Sequence, residues 1–200
     1  VSVALVDYGA GNLQSVRNAL KAAGADNILV TADPYALRRA DRIVLPGVGA
    51  FAHCMNALSA IDGMVDALNE ATDVGAKPFL GICVGMQLMA EAGEEHGTHT
   101  GLGWVKGRVR LMEGNAAVKI PHMGWNDVVP MRAHPLIEGG EAYFLHSFAY
   151  DGDDVIATTE HGGKVAAAIG RDNRIGVQFH PEKSQKYGLK FLSQFLEWNP

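Results

Sequence analysis

The N-terminal half of this chain repeats one pattern: a short apolar run, a glycine or proline, then a stretch of helical periodicity. Residues 1–7 are the first such run, and Gly9 and Gly11 make the turn after it. Leu13, Val16, Leu20 and Ala23 then recur at helical spacing, with Gly24 suited to the helix end. Residues 28–31 form a second run, and Asp33-Pro34 caps a short helix behind it. Residues 42–46 form a third, stopped by Pro46 and Gly47 and followed by a long helical stretch over about 51–71. Residues 78–83 form a fourth, and 85–90 turn helical at once. Runs without polar alternation are strands covered on both faces. Helices between them make the sheet parallel, so the pattern predicts an α/β fold with an open, mostly parallel sheet between helical layers.

The second half breaks the pattern. Short strand candidates crowd together at 107–112, 117–120, 142–148, 155–159, 165–169 and 174–179, with little helix between them. That spacing predicts antiparallel or mixed strands added to the parallel core. The chain closes on a helix over 186–198, whose apolar face is Phe191, Leu192, Phe195 and Leu196. With 200 residues, 48% of them hydrophobic, there is material for one sizeable core, so residues 1–200 are expected to be one domain.

Charge and cysteine content narrow the function classes. The 17 basic and 22 acidic residues leave a net charge of -5, with no arginine tract or lysine stripe for nucleic acid. No apolar run reaches membrane-spanning length, and residues 1–7 lack the basic flank of a signal peptide. Cys54 and Cys83 do not make a disulfide scaffold, so a reducing, cytoplasmic setting is expected.

Cys83 is the sharpest chemical feature. It stands where a buried strand ends and a helix begins, with Gly81 and Gly85 two residues to either side. A nucleophile at such an elbow needs small neighbours, because the backbone turns sharply and packs closely. A helix N-terminus favours a thiolate, and the Val84 N–H can face a developing oxyanion. On these residues alone, Cys83 is either that nucleophile or a small buried hydrophobe.

Of the eight histidines, His180 combines strand-end placement with a nearby carboxylate, Glu182. A continuing strand would put both on one side, which suits a base oriented by an acid; an ordinary strand end is the other reading. Residues 46–49, Pro-Gly-Val-Gly, follow a strand and carry amides to the same sheet edge, as an amide turn facing a ligand or as a plain β-turn. They lack the Gly-Lys-Ser/Thr ending of a phosphate loop, and residues 7–11 lack the third glycine of a dinucleotide fingerprint. His96, His99, His122 and His134 show no metal-ligand spacing. No cofactor and no metal are expected.

Together, Gly81-Ile-Cys-Val-Gly-Met-Gln87, Pro46-Gly-Val-Gly49 and His180-Pro-Glu182 resemble the signature of the class I, triad-type glutamine amidotransferases. The resemblance spans about residues 3–196. It implies a flavodoxin-like fold, with Cys83 as nucleophile, His180 as base and then acid, and Glu182 as the residue that orients it. It further implies oxyanion contacts at Val48, Gly49 and Val84, and a glutamine site at Gly49, Gln87, Ser147 and Phe148. Residues 46–49 are similar to the family's oxyanion strand, whose amide turns when a partner is engaged. The stretches 7–16, 121–126 and 143–147 resemble the branch serving histidine biosynthesis. In that branch the partner is a (β/α)8-barrel cyclase subunit, and Asn12, Trp125 and Lys183 lie at or near it. Val84 and Phe148 depart mildly from the commoner leucine and tyrosine. Glutaminases of other synthases, or a partner-independent cysteine hydrolase of related fold, are the alternative readings.

Overall fold

The computed structural model describes residues 1–114 and 116–200. In the first half, β1 (Ser2–Val6), α1 (Leu13–Ala22), β2 (Asn27–Thr31), α2 (Pro34–Arg39) and β3 (Arg42–Gly47) follow one another. Then come α3 (Phe51–Ala60), α4 (Met64–Asn69), β4 (Phe79–Cys83) and α5 (Val84–Gln87). Helix starts follow local chemistry: Asn12 accepts from the Ser15 N–H, and Asp33 accepts from the Tyr35 N–H with Pro34 behind it. The second half contains β5 (Ala90–Gly93), β6 (His99–Thr100), β7 (Val105–Leu111), β8 (His122–Pro130), β9 (Gly140–His146) and β10 (Phe148–Gly152). It ends with β11 (Val155–Glu160), β12 (Lys164–Arg171), β13 (Arg174–Val177) and α6 (Gln185–Glu197).

The main sheet has nine strands in the order β2-β1-β3-β4-β13-β12-β11-β8-β9. From β2 to β13 all neighbours are parallel; from β13 to β9 all are antiparallel. The added antiparallel half is therefore continuous with the parallel one. Helix α1 packs with α6, while α2 and α3 pack with α4, giving the two helical layers. Strands β3, β4 and β13 are buried throughout, as unalternating apolar runs require. A second sheet, β10-β7-β5-β6, packs beside the first.

Five expectations need correction. The helix expected over 51–71 is broken after α3, because Gly63 adopts φ +73° and starts α4, and α4 runs on into a π-helical turn over Glu70–Val74. The helix expected over 85–90 is the single turn α5. The Leu88 and Met89 carbonyls are taken by the N–H groups of Leu102 and Trp104, and Ala90 opens β5. The strand expected at 117–120 is irregular chain. The strand expected at 142–148 is broken at Ser147, where the chain leaves the main sheet as β9 and enters the second as β10. The strand expected at 174–179 stops at Val177, and Pro181–Lys183 form a 3-10 turn.

Register is what positions the site. Gly47 stands opposite Cys83, and Val177 opposite Ile82. The carboxyl ends of β3, β4 and β13 are thus level, where open α/β sheets gather their functional groups.

Candidate active site

Cys83 has φ 55° and ψ -112°, a left-handed conformation that L-residues avoid at a cost of about 1–3 kcal/mol. Its surroundings hold it there. A Cβ added at Gly85 would lie 1.9 Å from the Leu45 carbonyl oxygen, and one at Gly81 2.6 Å from the Gly85 carbonyl oxygen. A Cβ on Gly47 would lie 2.8 Å from the Gly85 nitrogen. The elbow therefore packs backbone against backbone, which is the close approach its flanking glycines foreshadow. Val84 opens the α5 turn, so its N–H has no acceptor within the helix and is available at the elbow. One turn is too short for the helix dipole to contribute much; the free N–H groups matter more.

His180 and Glu182 reach this elbow from the end of β13. His180 Nδ1 lies 2.8 Å from Glu182 Oε1, with both side chains almost fully buried. The contact comes from the 3-10 turn rather than a continuing strand, and Ser184 Oγ donates to the His180 carbonyl at 2.7 Å to fasten that turn. Burial opposes a charge on His180. Its hydrogen bonds to Cys83 and Glu182, with their charges, outweigh burial and push it up to about 10. His180 is therefore held protonated between sulfur and carboxylate, placed to move a proton at the reacting groups.

These groups open into a cleft of about 240 Å³. Val48, Gly49, Val84, Gln87, Ser147, Phe148 and Lys183 all line it together with Cys83 and His180. Asn12 and Trp125 do not. Asn12 caps α1, and Trp125 stands on an open face of β8 against Tyr143, with ring centroids 6.2 Å apart. Lys183 Nζ sits over the Tyr143 ring at 5.7 Å.

The Gly-Val-Gly turn is tied down on both sides. Tyr8 donates to the Pro46 carbonyl at 2.6 Å, and the Cys54 thiol to the Val48 carbonyl at 3.3 Å. Burial pushes Cys54 up to about 11, so it stays a thiol donor. The two cysteines thus differ in kind: one is strained and faces a cleft, the other is buried and hydrogen-bonded.

Sequence reasoning missed four contributors. Glu95 lines the cleft and accepts from the Phe51 N–H at 2.9 Å, which caps α3. Leu145 places its carbonyl 3.8 Å from Cys83 Sγ, and Gln178 places its amide nitrogen 3.7 Å from the same atom. His146 lines the cleft, and its Nε2 lies 3.0 Å from His122 Nδ1. Burial pushes His146 down to about 3 and His122 down to about 4, so both are neutral. No local signal marks these residues, because their partners lie in distant strands. His161 stacks on His122, but the ring nitrogens are already engaged by Asn126, Phe148 and Lys119, which makes a hydrogen-bonded cluster rather than a ligand set.

The sequence pattern of the family described as Glutamine amidotransferase class-I matches residues 4–198. The imidazole glycerol phosphate synthase subunit HisH of Zymomonas mobilis subsp. mobilis is 61% identical, covering 100% of this chain and 97% of that protein. The protein of the same name from Rhodopseudomonas palustris is 52% identical with 100% of both covered. Among solved structures, one described as a glutamine amidotransferase superposes with a TM-score of 0.76 at 18% identity, covering 98% of each chain. PurLQS from Thermotoga maritima gives 0.74 at 21% identity, covering 98% of this chain and 97% of that one. At such identities the structures speak for the fold.

Proposed function

The chain belongs to the class-I glutamine amidotransferase family, and from that premise we infer that it is the glutamine-hydrolysing subunit of an imidazole glycerol phosphate synthase in histidine biosynthesis. The observation that carries the chemistry is the strained Cys83 elbow facing a protonated, carboxylate-bound His180. Cys83 Sγ adds to the side-chain carbonyl carbon of glutamine. The Val84 N–H, with an amide from Val48 or Gly49, meets the oxyanion. His180 gives its proton to the leaving nitrogen, and ammonia departs from a γ-glutamyl thioester. His180, now neutral, takes a proton from water, which hydrolyses the thioester to glutamate. Glu182 keeps the imidazole oriented through both halves.

Glutamine lies against Gly49, Gln87, Ser147 and Phe148. Gln87 spends its amide N–H groups on Phe148 O and Gln178 Oε1, each at 3.1 Å, so it offers the substrate only its carbonyl oxygen, as an acceptor. Residues 1–200 act as one amidotransferase domain and need no cofactor or metal.

Free ammonia protonates in neutral water, so the product is passed directly to a cyclase subunit, a (β/α)8 barrel that closes the imidazole ring. Met123, Trp125 and Leu145 leave an exposed apolar face on β8 and β9, and Leu145 also lines the cleft; this supports docking of the partner there, with Lys183 over the neighbouring Tyr143 ring and Asn12, the cap of α1, as a further contact. Because the Pro46 and Val48 carbonyls are held, the Gly47–Val48 peptide between them is the unit that reorients on docking. Among the described residues no helix is long and apolar enough to cross a membrane. A cytoplasmic site of action belongs to the same reading as the biosynthetic role.

The test is glutamate release by the purified chain, alone and then with the cyclase subunit and a cyclase-site ligand. Slow release alone and strong stimulation by both is the expected result. Full turnover alone, unmoved by the cyclase, would assign the glutaminase to another synthase.

A further inference from the structure

Gln178 is completely buried, yet it is not a packing residue that happens to be polar. A hydrocarbon side chain would fill the same space without the cost of burying an amide. Its hydrogen bonds form a directed chain. The Phe148 carbonyl accepts from Gln87 Nε2 at 3.1 Å and from His146 Nδ1 at 2.8 Å. Gln87 Nε2 donates its other hydrogen to Gln178 Oε1 at 3.1 Å, and Gln178 Nε2 donates to Cys83 Sγ at 3.7 Å.

This chain has one consistent orientation. Turning the Gln178 amide over would set its NH2 against the NH2 of Gln87. Turning both would set the Gln87 carbonyl against the Phe148 carbonyl. A backbone carbonyl cannot become a donor, so Phe148 dictates the orientation of both amides. The end of the relay is therefore always an N–H aimed at sulfur.

We propose that the Gln87–Gln178 relay is a fixed hydrogen-bond donor to the Cys83 sulfur, and that Gln178 is a further catalytic residue of the glutaminase reaction with Gln87 as its positioning residue. The proposal rests on the reading of Cys83 as nucleophile. Gln178 transfers no proton; that remains the work of His180. Its N–H stabilises sulfur while the sulfur is a thiolate and does less when the sulfur is a neutral thioester. It thus favours the thiolate before attack and favours sulfur as leaving group when the thioester is hydrolysed.

The experiment is alkylation of Cys83 by iodoacetamide in the full chain, followed by mass spectrometry from pH 5 to 9.5, with buried Cys54 as an internal control. Gln178→Leu should raise the pH at which alkylation reaches half its plateau by about one unit, so that alkylation below that midpoint slows about tenfold while the high-pH plateau stays near the unsubstituted rate. Gln178→Glu, which keeps the shape but faces sulfur with oxygen, should slow it more. Gln87→Leu should act in the same direction by about threefold, since Gln178 is then free to turn. A merely structural role would lower thermal stability and leave the pH profile in place. Wild-type profiles in folded Gln178→Leu and Gln178→Glu overturn the proposal. Should Gln178→Leu fail to fold, wild-type profiles in Gln178→Glu and Gln87→Leu do so. Absence of selective Cys83 alkylation in the unsubstituted chain would instead remove the nucleophile, and the relay with it.

Discussion

His180 at the end of the parallel strands and the His122–His146 pair in the antiparallel half are all buried, yet they are pushed in opposite directions. His180 meets a carboxylate and a thiol and is raised to about 10. His122 and His146 meet each other, an amide and a carbonyl, and burial lowers them to about 4 and about 3. Partner chemistry, not depth, decides which histidine keeps its charge. The same division runs through the backbone. The parallel half brings main chain against main chain at Gly47, Gly81 and Gly85 and so makes a strained nucleophile possible. The antiparallel half leaves one face of β8 and β9 to solvent, with Met123, Trp125 and Leu145 on it. One half packs the reacting groups backbone against backbone, and the other supplies a cleft wall and an open surface.

That contrast can be broken most directly at Cys83. Cys83→Ala should lower glutamate release by at least about 10³-fold while leaving the fold and partner binding in place. Normal ammonia release by this variant would sink the mechanism. Next in size is a pair of glycine substitutions read by urea denaturation. Gly85→Ala forces a Cβ to 1.9 Å from the Leu45 oxygen and should cost about 3 kcal/mol or more. Gly139→Ala, before β9, meets nothing closer than 3.8 Å and should cost less than about 1 kcal/mol. Equal costs would erase the difference between the two halves.

A smaller effect is expected on the open face. Trp125→Ala should weaken cyclase binding by about 2 kcal/mol, measured by titration calorimetry, with stability changed by no more than about 0.5 kcal/mol. Unchanged affinity would move the docking surface elsewhere.

The least effect per step comes from pH. The lowered His122 and His146 contribute stability that is full above about 6.5 and is lost as pH falls toward 4 and 3, because the unfolded chain takes up protons first. The raised His180 contributes stability that is full below about 6.5 and is lost as pH rises toward 10. Stability should peak near neutrality and fall on the acid side by on the order of 1 kcal/mol per pH unit for the pair, allowing for solvent near His122. His146→Gln should flatten that acid limb; an unaltered slope would assign it to carboxylates.

Much of this is legible in local sequence, and the limits follow from what local sequence encodes. Unalternating apolar runs disclose burial on both faces, so β1, β3 and β4 are readable. The glycines around Cys83 disclose a crowded elbow. Periodicity carries no information about which of two sheets a strand joins, so the break at Ser147 is invisible. Nor does it show that the Leu88 and Met89 carbonyls are claimed by the chain at 102–104, which ends α5 after one turn. His180 and Glu182 are adjacent enough to be paired on sight, but by a turn rather than by strand alternation. Gln178 looks like one more strand residue, because its partner Gln87 is ninety-one positions away.

The residues themselves determined the kinds of group available: a cysteine between glycines, a histidine two residues from a glutamate, and the β1, β3 and β4 runs that need cover on both faces. Those follow from side-chain volume, hydrogen-bonding capacity and periodicity, which act over a few residues. Only the tertiary structure decided that β3, β4 and β13 end level, that Phe148 orients two amides toward sulfur, and that one buried histidine is charged while two others are neutral. Each depends on distances between strands far apart in the chain, where a displacement of an ångström changes which donor meets which acceptor.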